Sequence, residues 1–370
     1  MHLKSLSLVN FKNYEQVDIS FSEKINCFVG ENGVGKTNIL DAVHYLSLCK
    51  SNLNPVDSQN VKYEHEFCVI QGIFERQGKE ENIYCGIKKQ KKKQFKRNQK
   101  EYQKLSEHIG LIPLVMISPA DAILINGGSE ERRKFMNGVI AQYSRVYLDN
   151  LIQYNRALTQ RNRLLKDFAV SRTFDQEMLE VWDEQLIRYG EPIYEERLRF
   201  VKDLLPVFDS FHSHVSGKRE SVTLSYESQM NSSGMAEGLR SSQEKDRIVQ
   251  YSTFGIHKDD LGMMLGDHSL KKNGSQGQQK TFLVALKLAE FEFIRKLTQI
   301  PPILLLDDIF DKFDSSRVKQ IISLVAENQF GQIFITDTNE QRLRGILDEI
   351  PADHKVYKID RNANLEAMEA

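Results

Sequence analysis

Ile25 to Leu40, INCFVGENGVGKTNIL, reads as a buried strand, a glycine-rich loop and the start of a helix. Its centre, Gly30 to Thr37, fits G-x-x-x-x-G-K-[ST] in full. Glycines at 30, 33 and 35 let the backbone turn its N–H groups toward one point, at a helix N-terminus whose partial positive charge favours anions. After the loop, Ile39, Leu40, Val43 and Leu46 recur at helical spacing through Asn38 to Cys49, so the pattern stands in the context that a phosphate cradle needs. Lys36 is expected to reach the β- and γ-phosphates of ATP and Thr37 a Mg2+ ion, with Gly30, Glu31, Asn32, Gly33, Val34, Gly35 and Asn38 around them.

A second motif supports the first. PPILLLDDIFDKFD, Pro301 to Asp314, sets four apolar residues before Asp307 and Asp308, as a buried parallel strand does when it delivers carboxylates at its C-terminal end. Asp307 is expected to hold the magnesium and Asp308 to orient or activate the attacking water, with Lys36 as its partner in catalysis. A third motif, KNGSQGQQKTF from Lys272 to Phe282, precedes a helix expected over Leu283 to Leu297. It reads either as a Ser-capped helix or as a further phosphate site at a helix N-terminus. One γ-phosphate cannot sit on two separate helix N-termini of one subunit unless they face each other. The phosphate reading therefore suggests a composite pocket completed by another chain.

At 370 residues, 40% hydrophobic and 27% charged, the chain has the balance of a soluble globular protein of two domains, or of one with an insertion. Its apolar runs are far shorter than a membrane span, and the N-terminus lacks a signal core, so the expected location is the cytoplasm, with no membrane partner. Cys27, Cys49, Cys68 and Cys85 stand singly, without paired metal-site spacing. With 50 basic against 51 acidic residues there is no global field toward nucleic acid, so any such contact must be a local patch.

Strands are expected at Leu3 to Phe11, Val17 to Phe21, Ile25 to Val29, Phe67 to Phe74, Asn82 to Ile87 and Leu111 to Ile117, the later ones in an antiparallel sheet beside the loop. A long helix is expected from Ser129, and another over Glu177 to Leu205 that Gly190 and Pro192 kink or break. Ser- and Gly-rich Asn231 to Glu244 reads as a surface loop or boundary.

GENGVGKT, then SQGQQ, then LLLDDIFDKFD in that order resembles the ABC-type ATPases of the SMC and RecF group. LSLVNFKNY, SPADAILINGGSEERRKFM and TFGIHKDDL extend the resemblance over nearly the whole chain and bring it closest to the RecF family. Ile256, Lys258 and Ala120 depart from that pattern, and Thr336-Asp337-Thr338 stands where transporter ATPases carry a switch histidine. The resemblance implies an α/β ABC-type (P-loop NTPase) head over residues 1–124 and 250–370, with an inserted, mainly helical arm over 125–249. It implies that Ser275, Gln276, Gly277 and Gln278 act in trans, with Asp314 in the D-loop of the dimer interface. It further implies an ATP-dependent homodimer that clamps double-stranded DNA and single/double-strand junctions, with slow hydrolysis, RecR as partner, and RecO and RecA indirectly. A transporter-type ATPase subunit and an ATP-switched scaffold without hydrolysis are the rival readings.

The basic run KKQKKKQFKRNQK, Lys88 to Lys100, is open to two readings, a solvated hairpin tip or a DNA contact through Lys91, Lys92 and Lys93. Arg132 and Arg133 divide in the same way between DNA and neighbouring acids, and the resemblance favours DNA.

Overall fold

The computed structural model describes residues 1–217, 221–309, 331–348 and 352–368. The chain forms two compact units: unit 1 is Met1–Asp121 with Glu290–Ala370, and unit 2 is Ala122–Ala289.

Along the chain, unit 1 opens with strands β1 (His2–Phe11), β2 (Tyr14–Ser20) and β3 (Ile25–Val29), then helix α1 (Lys36–Leu48). Strands β4 (Phe67–Arg76), β5 (Lys79–Lys88), β6 (Gln94–Arg97), β7 (Lys100–Glu101) and β8 (Leu114–Ile117) follow. Unit 2 holds α2 (Ile123–Asn126), α3 (Ser129–Tyr143), α4 (Arg145–Ser171), α5 (Gln176–Ser216), β9 (Val222–Glu227) and α6 (Met235–Val249). It continues through β10 (Asp260–Leu265), β11 (His268–Ser269), α7 (Leu270–Asn273) and the first part of α8 (Gln276–Thr298). The chain returns to unit 1 with β12 (Ile303–Asp307), β13 (Ile333–Asp337), α9 (Glu340–Leu347), β14 (His354–Ile359) and β15 (Leu365–Met368).

Unit 1 contains two sheets. One is antiparallel, in the order β2-β1-β4-β5-β6-β7, and alternates buried with more exposed residues because one face packs on the core. The other, in the order β15-β14-β3-β13-β12-β8, is parallel from β14 to β8, and its strands β3, β8, β12 and β13 are buried along their whole length. That burial explains the largely apolar composition of INCFV, LVMI and ILLLD. Leu114–Ile117, expected beside the antiparallel strands, instead pairs in parallel with β12, a long-range partner that local pattern does not disclose. All four cysteines are buried in unit 1, and burial raises each thiol, those of Cys49 and Cys68 to about 12.

Three expectations change in unit 2. The helix from Ser129 divides at Ser144, whose hydroxyl accepts from the Tyr147 N–H at 3.2 Å and so starts α4. Helix α5 runs through both Pro192 and Pro206 for 41 residues, about 60 Å at 1.5 Å per residue. A stripe of buried Leu186, Ile193, Phe200, Leu204 and Phe208 holds it, so packing outweighs the hydrogen bonds the prolines remove. The stretch Asn231 to Glu244, expected as loop, supplies most of α6, which Met235 and Leu239 anchor in the core. Trp182, the sole tryptophan, lies on α5.

On the return path the units divide inside α8, whereas the head was expected from residue 250. Residues 250–289 pack with unit 2 because β10 pairs antiparallel with β9, from Asp260 opposite Glu227 to Leu265 opposite Val222. Among the described residues no helix is long and apolar enough to cross a membrane.

Candidate nucleotide-binding site

The parallel sheet brings the C-terminal ends of β3, β12 and β13 together, since Asp337 lies opposite Val29 and Asp307 opposite Thr336. Ligands in open parallel sheets bind beyond such ends. The loop after β3 rises here and enters α1 at Lys36. Gly35, the residue before the helix, has φ +112°, a region closed to most side chains, and a Cβ there would lie 2.3 Å from the Asn13 amide nitrogen. Lys36 is only 4% exposed, and its ammonium donates to the carbonyls of Gly30 (2.9 Å) and Glu31 (3.0 Å). The loop thus holds its own lysine through the carbonyls at its start.

The two residues expected on magnesium meet across 270 positions of sequence: the Thr37 hydroxyl donates to Asp307 Oδ1 at 2.8 Å. Burial raises the Asp307 carboxyl above its ordinary value, while the hydroxyls of Thr336 and Thr37 and the nearby Lys36 pull it down. Among the described residues no group of three or more His, Cys, Asp or Glu is arranged to hold a metal. One hydroxyl and one carboxylate do suit magnesium, which keeps several waters and takes its other ligands from substrate phosphates. Asp308 follows at φ +44°, a conformation that turns it off the line of β12, and its N–H donates to Thr336 Oγ1 at 2.9 Å.

Thr336 was passed over in the sequence except as part of a segment without histidine. Its hydroxyl donates to Asp307 Oδ1 at 2.8 Å while accepting from Asp308, so one side chain ties both aspartates to β13. The signal available was position, a hydroxyl at the C-terminal end of a strand adjacent to the carboxylate strand. Lys12, Asn13 and Tyr14, the end of LSLVNFKNY, also touch the loop and α1.

Ser275 to Gln278 belong to unit 2, whereas the glycine loop belongs to unit 1. Ser275 Oγ accepts from the Gln278 N–H (3.3 Å), and Gln278 Oε1 accepts from the Ser275 N–H (2.6 Å), the reciprocal arrangement of a capping box. Ser275, Gln276 and Gly277 are nevertheless exposed, and a Cβ on Gly277 would meet nothing within 4 Å. Asp314 lies outside the described residues.

The basic positions separate. Lys91 and Lys92 are exposed. Lys93 is folded inward, with its ammonium on the Cys49 carbonyl (2.6 Å), the Tyr45 hydroxyl (3.1 Å) and Asp57 (3.1 Å). Phe95 beside it is core. Arg132 forms a two-pronged pair with Asp260 at 2.6 and 2.8 Å, and Arg133 donates to the Asp259 carbonyl at 2.6 Å. Arg132 takes the neighbouring-acid side of the two readings, while Arg133 is held by a backbone carbonyl.

Comparison with known proteins places the chain in a family. The family model described as RecF/RecN/SMC N terminal domain matches residues 2–359. A protein of Bacteroides thetaiotaomicron named DNA replication and repair protein RecF is 54% identical over 363 residues, covering 98% of this chain and 97% of its own. The chain belongs to the RecF family. The Flavobacterium johnsoniae RecF is 49% identical over 97% of this chain and 99% of its own. A solved structure of the recombination mediator protein RecF with ATP, in the RecFOR pathway, superposes with a TM-score of 0.90 at 27% identity over 100% of this chain and 98% of that one. An SMC head domain with an extended coiled coil from Pyrococcus furiosus shares the fold at a TM-score of 0.57 and 17% identity, over 99% of this chain and 96% of that one. This is therefore an α/β ABC-type ATP-binding protein of DNA replication and repair.

Proposed function

We propose that this RecF-family chain works in the cytoplasm as an ATP-driven clamp. Two copies join head to head on Mg-ATP around double-stranded DNA at gaps and single/double-strand junctions, assist RecA loading with RecR, and indirectly RecO, and are reset by slow hydrolysis. The observation that carries the reading is Gly277. Its backbone does not require glycine, and its own chain leaves the Cβ position empty. Open space beside an exposed serine at a helix N-terminus suits close approach of a second molecule's phosphate, with Ser275, Gln276 and Gln278 beside it.

In this reading Lys36 exchanges its two carbonyl acceptors for β- and γ-phosphate oxygens, and the Gly30–Asn38 backbone surrounds the phosphates. Thr37 and Asp307 hold the magnesium, which neutralises phosphate charge when bound. Asp308, whose backbone N–H is held by Thr336, orients the attacking water. The D-loop role of Asp314 remains part of the proposal. Exposed Lys91 and Lys92 are the retained DNA contacts; Lys93, Arg132 and Arg133 serve the fold. Light scattering with and without Mg-ATP and double-stranded DNA tests the clamp. ATP is expected to produce a DNA-binding dimer that Lys36→Met and Ser275→Arg both abolish. A wild-type chain that stays monomeric and unbound with ATP would overturn the mechanism.

A further inference from the structure

The turn between β1 and β2 lies far from the glycine loop in sequence reading but against it in space. Three consecutive residues reach across. Lys12 Nζ donates to Asp41 Oδ2 on α1 at 2.6 Å, with the lysine side chain 8% exposed and the carboxylate fully buried. Asn13 uses both ends of its amide: Nδ2 donates to the Val34 carbonyl at 2.8 Å, and Oδ1 accepts from Asn38 Nδ2 at 2.7 Å. The Tyr14 hydroxyl, also buried, donates to the Gly35 carbonyl at 3.1 Å.

These bonds fall on a particular part of the loop. A phosphate cradle works only if successive N–H groups point inward, which requires the carbonyls of the same peptides to point outward. The Val34 and Gly35 carbonyls are the ones held outward, by Asn13 and Tyr14. Asn13 also fills the space where a side chain on Gly35 would go, so the left-handed turn at Gly35 and the amide of Asn13 fit one another. Lys12 and Asp41 fix the turn to the helix that the loop starts. Preorganised donors bind better than donors that must be ordered by the ligand.

We infer that Asn13 is a positioning residue of the nucleotide site, holding the Val34–Gly35 peptide with its N–H, that of Gly35, turned toward the phosphates. The inference rests on the reading of Gly30–Thr37 as the ATP phosphate site. It concerns a residue outside the glycine motif, contributed by the antiparallel sheet to a loop of the parallel one.

The test is titration calorimetry of the full-length protein with ATP and with ADP, alongside urea unfolding without nucleotide. For Asn13→Ala, affinity for both nucleotides is expected to fall about tenfold, the equivalent of one hydrogen bond's net worth, and the unfolding midpoint without nucleotide to fall only by the loss of the two side-chain bonds. Asn13→Asp keeps the size and the acceptor for Asn38 but loses the donor to Val34 and sets a carboxylate beside the anion. It is expected to bind more weakly than the alanine variant. A merely structural role would lower the unfolding midpoint of both variants and leave their nucleotide affinity at the wild-type value, and that result overturns the inference. So does wild-type nucleotide affinity in Asn13→Ala. Lys36→Met separates the two levels: if it binds ATP as the wild type does, the phosphate-site reading itself fails. If it loses ATP while Asn13→Ala does not, only the role of Asn13 fails.

Discussion

Asp41 shows how much of the site's stability hangs on single side chains. It is fully buried on α1 and accepts from Lys12 Nζ, Ser51 Oγ and the Asn52 N–H, each at 2.6 Å. Removing one partner of a buried pair strands the other charge, which costs about 3–5 kcal/mol. Lys12→Met is therefore expected to lose stability of that order in urea unfolding, and Lys12→Met with Asp41→Leu to recover most of it. A single variant within about 0.5 kcal/mol of wild type would show that the carboxylate finds other compensation. Lys36 and Thr37 in one short segment, and Asp307 in another, stand out in the sequence because each segment repeats a chemical requirement in its own spacing. Asp41, Asn13 and Thr336 do not, since what they do depends on partners brought from other strands.

Among the elements, α1 is held at both ends. Its start carries the phosphate lysine, and its end turns at Cys49 in the left-handed region, with Lys93 of the basic run on the Cys49 carbonyl. A cation at a helix C-terminus is favourable, the more so when half-buried. Lys93→Met is expected to cost about 1–2 kcal/mol on that ground. Lys91→Ala and Lys92→Ala should stay within about 0.5 kcal/mol. If the exposed pair touches DNA, each of those two should instead flatten the salt dependence of DNA binding by about one phosphate contact. Equal stability losses at all three positions would contradict this division. The run was visible in sequence as charge alone, and only the fold distinguishes the lysine turned inward. The long helix α5 makes the complementary point, because local propensity at Pro192 predicts a break that a continuous buried stripe prevents.

Across the whole molecule, two histidines, His108 buried and His257 half-buried, tie stability to pH. His108 in unit 1 sits between the Tyr102 hydroxyl (3.1 Å) and the Leu46 carbonyl (2.7 Å), and His257 in unit 2 between Tyr154 (2.8 Å) and the Ser252 carbonyl (3.0 Å). Burial lowers each from 6.5 to about 4. Between those values the unfolded chain binds the proton and the folded chain does not, so stability is full above about pH 6.5 and is lost as pH falls toward 4. Each histidine is expected to contribute ~2 kcal/mol of loss between pH 7 and pH 5. Urea unfolding at the two values checks this. His108→Gln should remove the part belonging to unit 1; an unchanged slope would refute the assignment. At this scale the ATPase head with an inserted helical part was readable from motif order. Where the insertion ends was not, because the pairing of β10 with β9 leaves no local mark.

The placement of the cysteines and the tryptophan has a practical corollary. Every thiol lies in unit 1 and the one indole lies in unit 2. Buried thiols held in the protonated form react with alkylating reagents only when the surrounding structure opens. Labelling kinetics therefore clock the opening of unit 1, and indole emission follows unit 2. The chain carries two independent reporters of its two parts without any added dye.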